Sequence, residues 1–148
     1  MKIAVDFDGT IVENRYPAIG SEMPFAIESL LRLQKRGNHQ LILWTVREGK
    51  LLQDAVDFCS QRGLTFYSVN QNDPEAQTGK GPRKLDADLF IDDRNLGGMP
   101  DWGLIVRLIE AQKPDRNYEE VYRSAFEVQQ KAFLKRNWLL KLGALLAR

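Results

Sequence analysis

Short apolar runs closed by turn residues alternate along this chain with longer stretches whose apolar positions fall at helical spacing. Ile3-Ala4-Val5 leads into Asp6-Phe7-Asp8-Gly9; consecutive apolar residues of this kind form a strand buried on both faces, as in a parallel sheet. Residues 24–35 predict a helix, with Pro24 in its first turn, Ile27, Leu30, Leu31 and Gln34 at helical spacing, and Gly37 just past its end. Leu41-Ile42-Leu43-Trp44 predicts a second buried strand, ending at Thr45. Residues 48–62 follow as an amphipathic helix, with Leu51, Leu52, Ala55, Phe58 and Cys59 on its inner stripe and Gly63 as its stop. A third strand is expected over 65–69, then a polar loop over 70–82, then a fourth strand over 87–91 that ends in Asp92-Asp93. Asp101 is placed to cap a helix carrying Leu104, Ile105, Leu108 and Ile109, and residues 118–146 are helical in pattern again.

Strands and helices in alternation predict an α/β fold, a parallel sheet with helices on both faces. Neither a repeat nor an interdomain linker is visible, so the expectation is one domain: a core over 1–115 and a C-terminal amphipathic helical extension of it over 116–148. Composition fits. The 148 residues are 43% hydrophobic, enough chain to bury a full core without disulfides or metals as staples. Twenty-one Lys+Arg against 20 Asp+Glu leave a net charge of +1, which gives no electrostatic reason to expect nucleic acid or a membrane as partner. The single cysteine, Cys59, excludes an intrachain disulfide and suits a reducing compartment. With no secretory leader ahead of the first strand and no run of eighteen apolar residues, a soluble cytoplasmic protein is expected.

In open α/β sheets, ligands sit beyond the carboxyl ends of the strands. Here those ends carry Asp6-Phe7-Asp8-Gly9-Thr10, Thr45, and Asp92-Asp93. Four carboxylates gathered on one rim repel one another and are tolerable only around a cation. Oxygen ligands select a hard ion, and magnesium is the usual one where a phosphate shares the site. Strand periodicity aims Asp6 and Asp8 to one side with Phe7 turned away. Gly9 permits a sharp turn that brings backbone amides near an anion. One carboxylate can then attack phosphorus while the other handles the leaving group's proton.

These residues resemble the motifs of the haloacid dehalogenase superfamily. Asp6-Phe7-Asp8-Gly9-Thr10 after an apolar strand is similar to its first motif, Thr45 after Leu41-Ile42-Leu43-Trp44 to its second, and Asp92-Asp93 after Leu89-Phe90-Ile91 to its fourth. Lys84 stands where short members carry the third-motif lysine; Lys80 competes, but Lys84 directly precedes the strand that delivers Asp92. The resemblance implies a parallel Rossmann-like sheet in a three-layer sandwich. It also implies phosphomonoester hydrolysis with Asp6 as nucleophile and Asp8 as general acid and then base. Thr45 and Lys84 would hold phosphate oxygens, and magnesium would lie on Asp6, the Asp8 carbonyl, Asp92 and Asp93. Gly9 and Thr10 fall in the same loop and are expected to contact substrate. Arg47 reads equally as a phosphate ligand and as a solvent-exposed arginine opening a helix. Glu13 to Tyr16 lie where the family carries a small flap.

The gaps of 36 residues between Asp8 and Thr45 and 38 between Thr45 and Lys84 are too short for a cap domain, so the site should be open to a large or protruding phosphate ester of unspecified identity. A receiver domain is a second reading, opposed by Val69-Asn70 ending the third strand without an Asp. A catalytically idle scaffold is a third, opposed by the filled chemical positions. In the tail, Val121, Tyr122, Phe126, Phe133 and Trp138 recur at near-helical spacing while the polar side turns basic. Packing on the core or on a second copy, as a homodimer, is favoured over membrane attachment.

Overall fold

A computed structural model of the protein describes residues 1–75 and 84–111. The chain divides into two compact units, Met1–Gly103 and Leu104–Arg148. In the first, the elements run β1 (Lys2–Val5), α1 (Ala26–Gly37), β2 (Gln40–Leu43), α2 (Gly49–Ser60), β3 (Ser68–Val69) and β4 (Leu89–Ile91). A third helix, α3 (Trp102–Glu110), begins at the end of this unit and supplies what is described of the second. The extension expected over 116–148 and the competing Lys80 lie outside the described residues.

The four strands form one sheet in the order β3-β2-β1-β4, parallel throughout. This is the α/β class that the alternation of patterns implies. The two central strands take their burial from their apolar runs: Ile3, Ala4, Val5, Leu41, Ile42 and Leu43 are all fully buried. Register pairs Ile3 with both Leu41 and Leu89, so β1 is flanked on each edge. Right-handed crossovers from β1 to β2 and from β2 to β3 put α1 and α2 on one face. They bury Ile27, Leu30 and Leu33 of the one, and Ala55 and Cys59 of the other. Phe7, just past β1, meets Phe58 edge to face at 5.8 Å.

Helix bounds shift where one residue takes a left-handed backbone. Phe25 has φ of 65°, so α1 starts at Ala26 and Pro24 stands outside it. At the other end Gly37 is still helical, and Asn38 makes the left-handed turn, its N–H closing on the Leu33 carbonyl. No described helix is long and apolar enough to cross a membrane.

Candidate metal centre

Strand order reverses at β1. Its successors β2 and β3 lie to one side and β4 to the other, so the crevice at the switch point opens beyond the carboxyl ends of β1 and β4. Asp6 leaves β1 there, its N–H still donating to the Ile91 carbonyl at 3.0 Å. Asp92 and Asp93 leave β4 beside it. Carboxylate oxygens of Asp6, Asp92 and Asp93 all lie within 4.8 Å of one another and can hold a metal ion.

Hydrogen bonds brace the rim around the triad. The Asp92 carboxylate accepts from the Arg94 N–H at 2.8 Å. The Asp93 N–H donates to Thr10 Oγ1 at 3.1 Å, and the Thr10 carbonyl accepts from Trp102 Nε1 at 3.2 Å. Thr10 is fully buried; it ties the two rim loops together. Asp93 Oδ1 is buried and has no partner among the described residues, a cost that a cation would remove. Burial raises the Asp6 carboxyl to about 7. A hydrogen bond from the Phe7 N–H opposes that rise, and the charges of Asp92, Asp93 and Asp8 add to it. A cation held by the triad would work against that rise by favouring the ionised carboxylate.

A cavity of about 250 Å³ adjoins the triad, lined by Asp6, Asp8, Trp44, Thr45, Val46, Asp92 and Arg94. Thr45 is fixed in it by Asn70. The Asn70 amide oxygen accepts from the Thr45 N–H at 2.8 Å, its Nδ2 reaches the Arg47 carbonyl, and its own N–H donates to the Leu43 carbonyl. Asn70 makes these contacts from a left-handed conformation, φ 52°, which asparagine tolerates better than most residues.

Beyond Gly9 the chain turns back sharply, with the Ile11 and Val12 N–H groups both donating to the Phe7 carbonyl. An antiparallel bridge between Val12 and Glu22 then closes a loop over 13–21. Arg47 lies beneath this loop and corrects both sequence readings: it is neither exposed nor facing the cavity, but 0% accessible. Its Nε and Nη2 donate to the two oxygens of Asp8, each at 2.7 Å, while Nη1 and Nη2 donate to the Pro17 and Ala18 carbonyls at 3.0 and 2.9 Å. The Phe7 and Tyr16 rings flank the guanidinium, with centroids at 5.1 and 5.4 Å.

No family model and no curated protein matches the chain. A solved structure does: that of the conserved protein coded by locus from Bacteroides thetaiotaomicron, 59% identical, with a TM-score of 0.71 over 76% of this chain and 92% of that one. The chain belongs to the family of that conserved protein. The relative's description assigns neither activity nor ligand.

Within this family member, Asp6, Asp92 and Asp93 meet as the strand ends suggest, and Thr45 joins them along the cavity. The Asp8 side chain borders the cavity but turns its carboxylate to Arg47, outside the triad. Gly9 packs its backbone against the Asp93 carboxylate, and the Thr10 hydroxyl is committed to Asp93, so both shape the triad from behind. Lys84 is exposed and is not one of the lining residues; Arg94 is. Sequence reasoning missed Asn70, whose signal was a polar, left-hand-tolerant residue at a strand end beside Thr45. It also missed Trp44 and Val46 as an apolar wall of the cavity.

Proposed function

We propose that this protein is a magnesium-dependent phosphomonoester hydrolase of the haloacid dehalogenase type, working through an aspartyl-phosphate at Asp6. The observation that carries this reading is the triad at the switch point. Three carboxylates converge there, one with a buried, unpartnered oxygen, and a threonine and an arginine share the adjoining cavity. An all-oxygen donor set suits a hard divalent ion. Asp6, Asp92 and Asp93 would hold magnesium, which when bound offsets the negative charge of the phosphate and of the carboxylates around it.

The chain's own groups then perform the displacement. An Asp6 carboxylate oxygen bonds to phosphorus as the bond from phosphorus to the ester oxygen breaks. Asp8 hands the departing oxygen a proton. Thr45 and Arg94 steady the phosphoryl oxygens, Arg94 in the place the resemblance gives to Lys84. Asp8, now without its proton, takes one from the water that attacks the aspartyl-phosphate, releasing phosphate and restoring both residues. The apolar wall of Trp44 and Val46 offers a surface to the leaving group.

A phosphatase screen with p-nitrophenyl phosphate and a panel of metabolite esters, with and without magnesium, tests the reading. Phosphate release should require magnesium and vanish in Asp6→Asn. Full activity in Asp6→Asn would overturn the covalent route, and no release from any ester would overturn the function.

A further inference from the structure

The pairing of Asp8 with Arg47 sits uneasily with a proton donor. Both carboxylate oxygens accept from the guanidinium at 2.7 Å, which leaves the carboxyl in the wrong arrangement to offer a proton to a leaving group. The same guanidinium gives two more donors to the Pro17 and Ala18 carbonyls, and Tyr16 covers it. Residues 13–18 above it are exposed, and Arg47 itself is wholly buried. A planar fork with five donors can satisfy a carboxylate and two carbonyls at once; an ammonium cannot. One buried side chain, distant in sequence from both, therefore fixes the Asp8 carboxylate and the tip of the 13–21 loop.

We infer that Arg47 is a positioning residue that latches the 13–21 loop to Asp8, so that movement of the loop and release of the Asp8 carboxylate toward the cavity are one event. The guanidinium cannot follow the loop outward and keep both oxygens of Asp8. Asp8 cannot swing free without leaving the guanidinium buried beside two carbonyls and no counter-charge, which is costly enough that the loop must shift to admit water. An ester bulky enough to press on the loop would thus prepare the proton donor as it enters. The catalytic part of this inference rests on the hydrolase reading; the mechanical part does not.

Two measurements separate them. In hydrogen exchange followed by mass spectrometry, Asp8→Asn keeps the shape of the side chain but halves its acceptors. Amides of 13–21 should exchange at least several-fold faster than in the wild type, with β1 and α2 unchanged. Unchanged exchange over 13–21 would overturn the latch whatever the protein's activity. In kinetics, Arg47→Lys, which loosens the hold on Asp8, should raise kcat for a small alkyl phosphate about tenfold relative to p-nitrophenyl phosphate, which needs little protonation, with KM held within about twofold, and a deeper fall for the alkyl ester would overturn the latch. An equal fall for both esters, or a rise in KM alone, would make Arg47 a scaffold or a substrate ligand and overturn the positioning role. If Arg47→Lys does not fold, the exchange experiment decides alone. Faster loop exchange in Asp8→Asn from a protein that hydrolyses no ester would leave the latch standing and remove the hydrolase.

Discussion

Gly9 and Asp93 come from opposite ends of the described sheet unit, and the backbone of one is packed against the carboxylate of the other. Gly9 has φ of 92°, and a β-carbon built on it would run into the Asp93 carboxylate. The D-x-D-G-T loop therefore serves the triad by leaving room for an aspartate from β4 as much as by turning sharply.

Gly9→Ala should be costly twice over. The left-handed backbone carries about 1–3 kcal/mol of strain for a residue with a side chain. The methyl group also displaces one of three carboxylates, so divalent-cation affinity measured by calorimetry should fall at least about tenfold, some 1.4 kcal/mol. Unchanged affinity for magnesium or manganese would show that Asp93 does not take part in holding the ion.

Asp6 predicts a pH effect of definite sign. Its carboxyl is raised from 3.8 to about 7 in the folded chain, burial first and its acidic neighbours after. Between those values the folded state keeps a proton that the unfolded state has lost. Stability is therefore greatest below about pH 4 for this group and drains away as pH rises through 7. In EDTA at pH 8, Asp6→Asn should melt above the wild type by about 3–6 °C, allowing for the group's partial exposure. The gap should close as pH falls toward 4. Magnesium at pH 8 should raise the wild type and leave the variant nearly unmoved.

Asn70 offers a graded series. Asn70→Asp keeps an acceptor for the Thr45 N–H, Asn70→Gly keeps only the backbone freedom, and Asn70→Ala keeps neither. Unfolding free energies from urea melts should fall in that order, with about 2 kcal/mol lost at alanine. A reversed order would mean that the Thr45 contact contributes nothing.

Cys59 should be silent. Burial pushes its thiol up to about 12, so at pH 8 it is neither ionised nor reachable. Ellman's reagent should label it only as fast as the protein opens. Complete labelling within minutes in native buffer would contradict the packing of α2 on the sheet.

The sheet and the triad were legible because both follow from one-dimensional cues. Ile3 to Val5 and Leu41 to Leu43 are continuous apolar runs, and acidic residues stand at the ends of the first and fourth strands. What was not legible depends on one residue meeting partners from several loops. Arg47 reads equally as a phosphate ligand and as a surface cation because nothing near it in sequence pairs with it; Asp8 lies 39 positions away, and the other two acceptors are backbone carbonyls that any residue would offer. Asn70 was visible as a strand end but not as a clamp, since its partner Thr45 is set by β2–β3 register. The start of α1 was misplaced for a local reason: Phe25 has no sequence signature of a left-handed residue.

The strand order also has a bearing on biosynthesis. β1 leaves the ribosome before the other strands of the sheet, yet its second edge is completed only by β4, through Ile3 with Leu89 and Val5 with Ile91. Such long-range parallel pairing is slow to form. A nascent chain that has reached α2 can already assemble β1 and β2, and it carries Asp6 and Asp8 but neither Asp92 nor Asp93. The acidic rim, with its mutual repulsion, is thereby postponed until the last strand closes, and a half-made chain has no pocket in which to trap a cation.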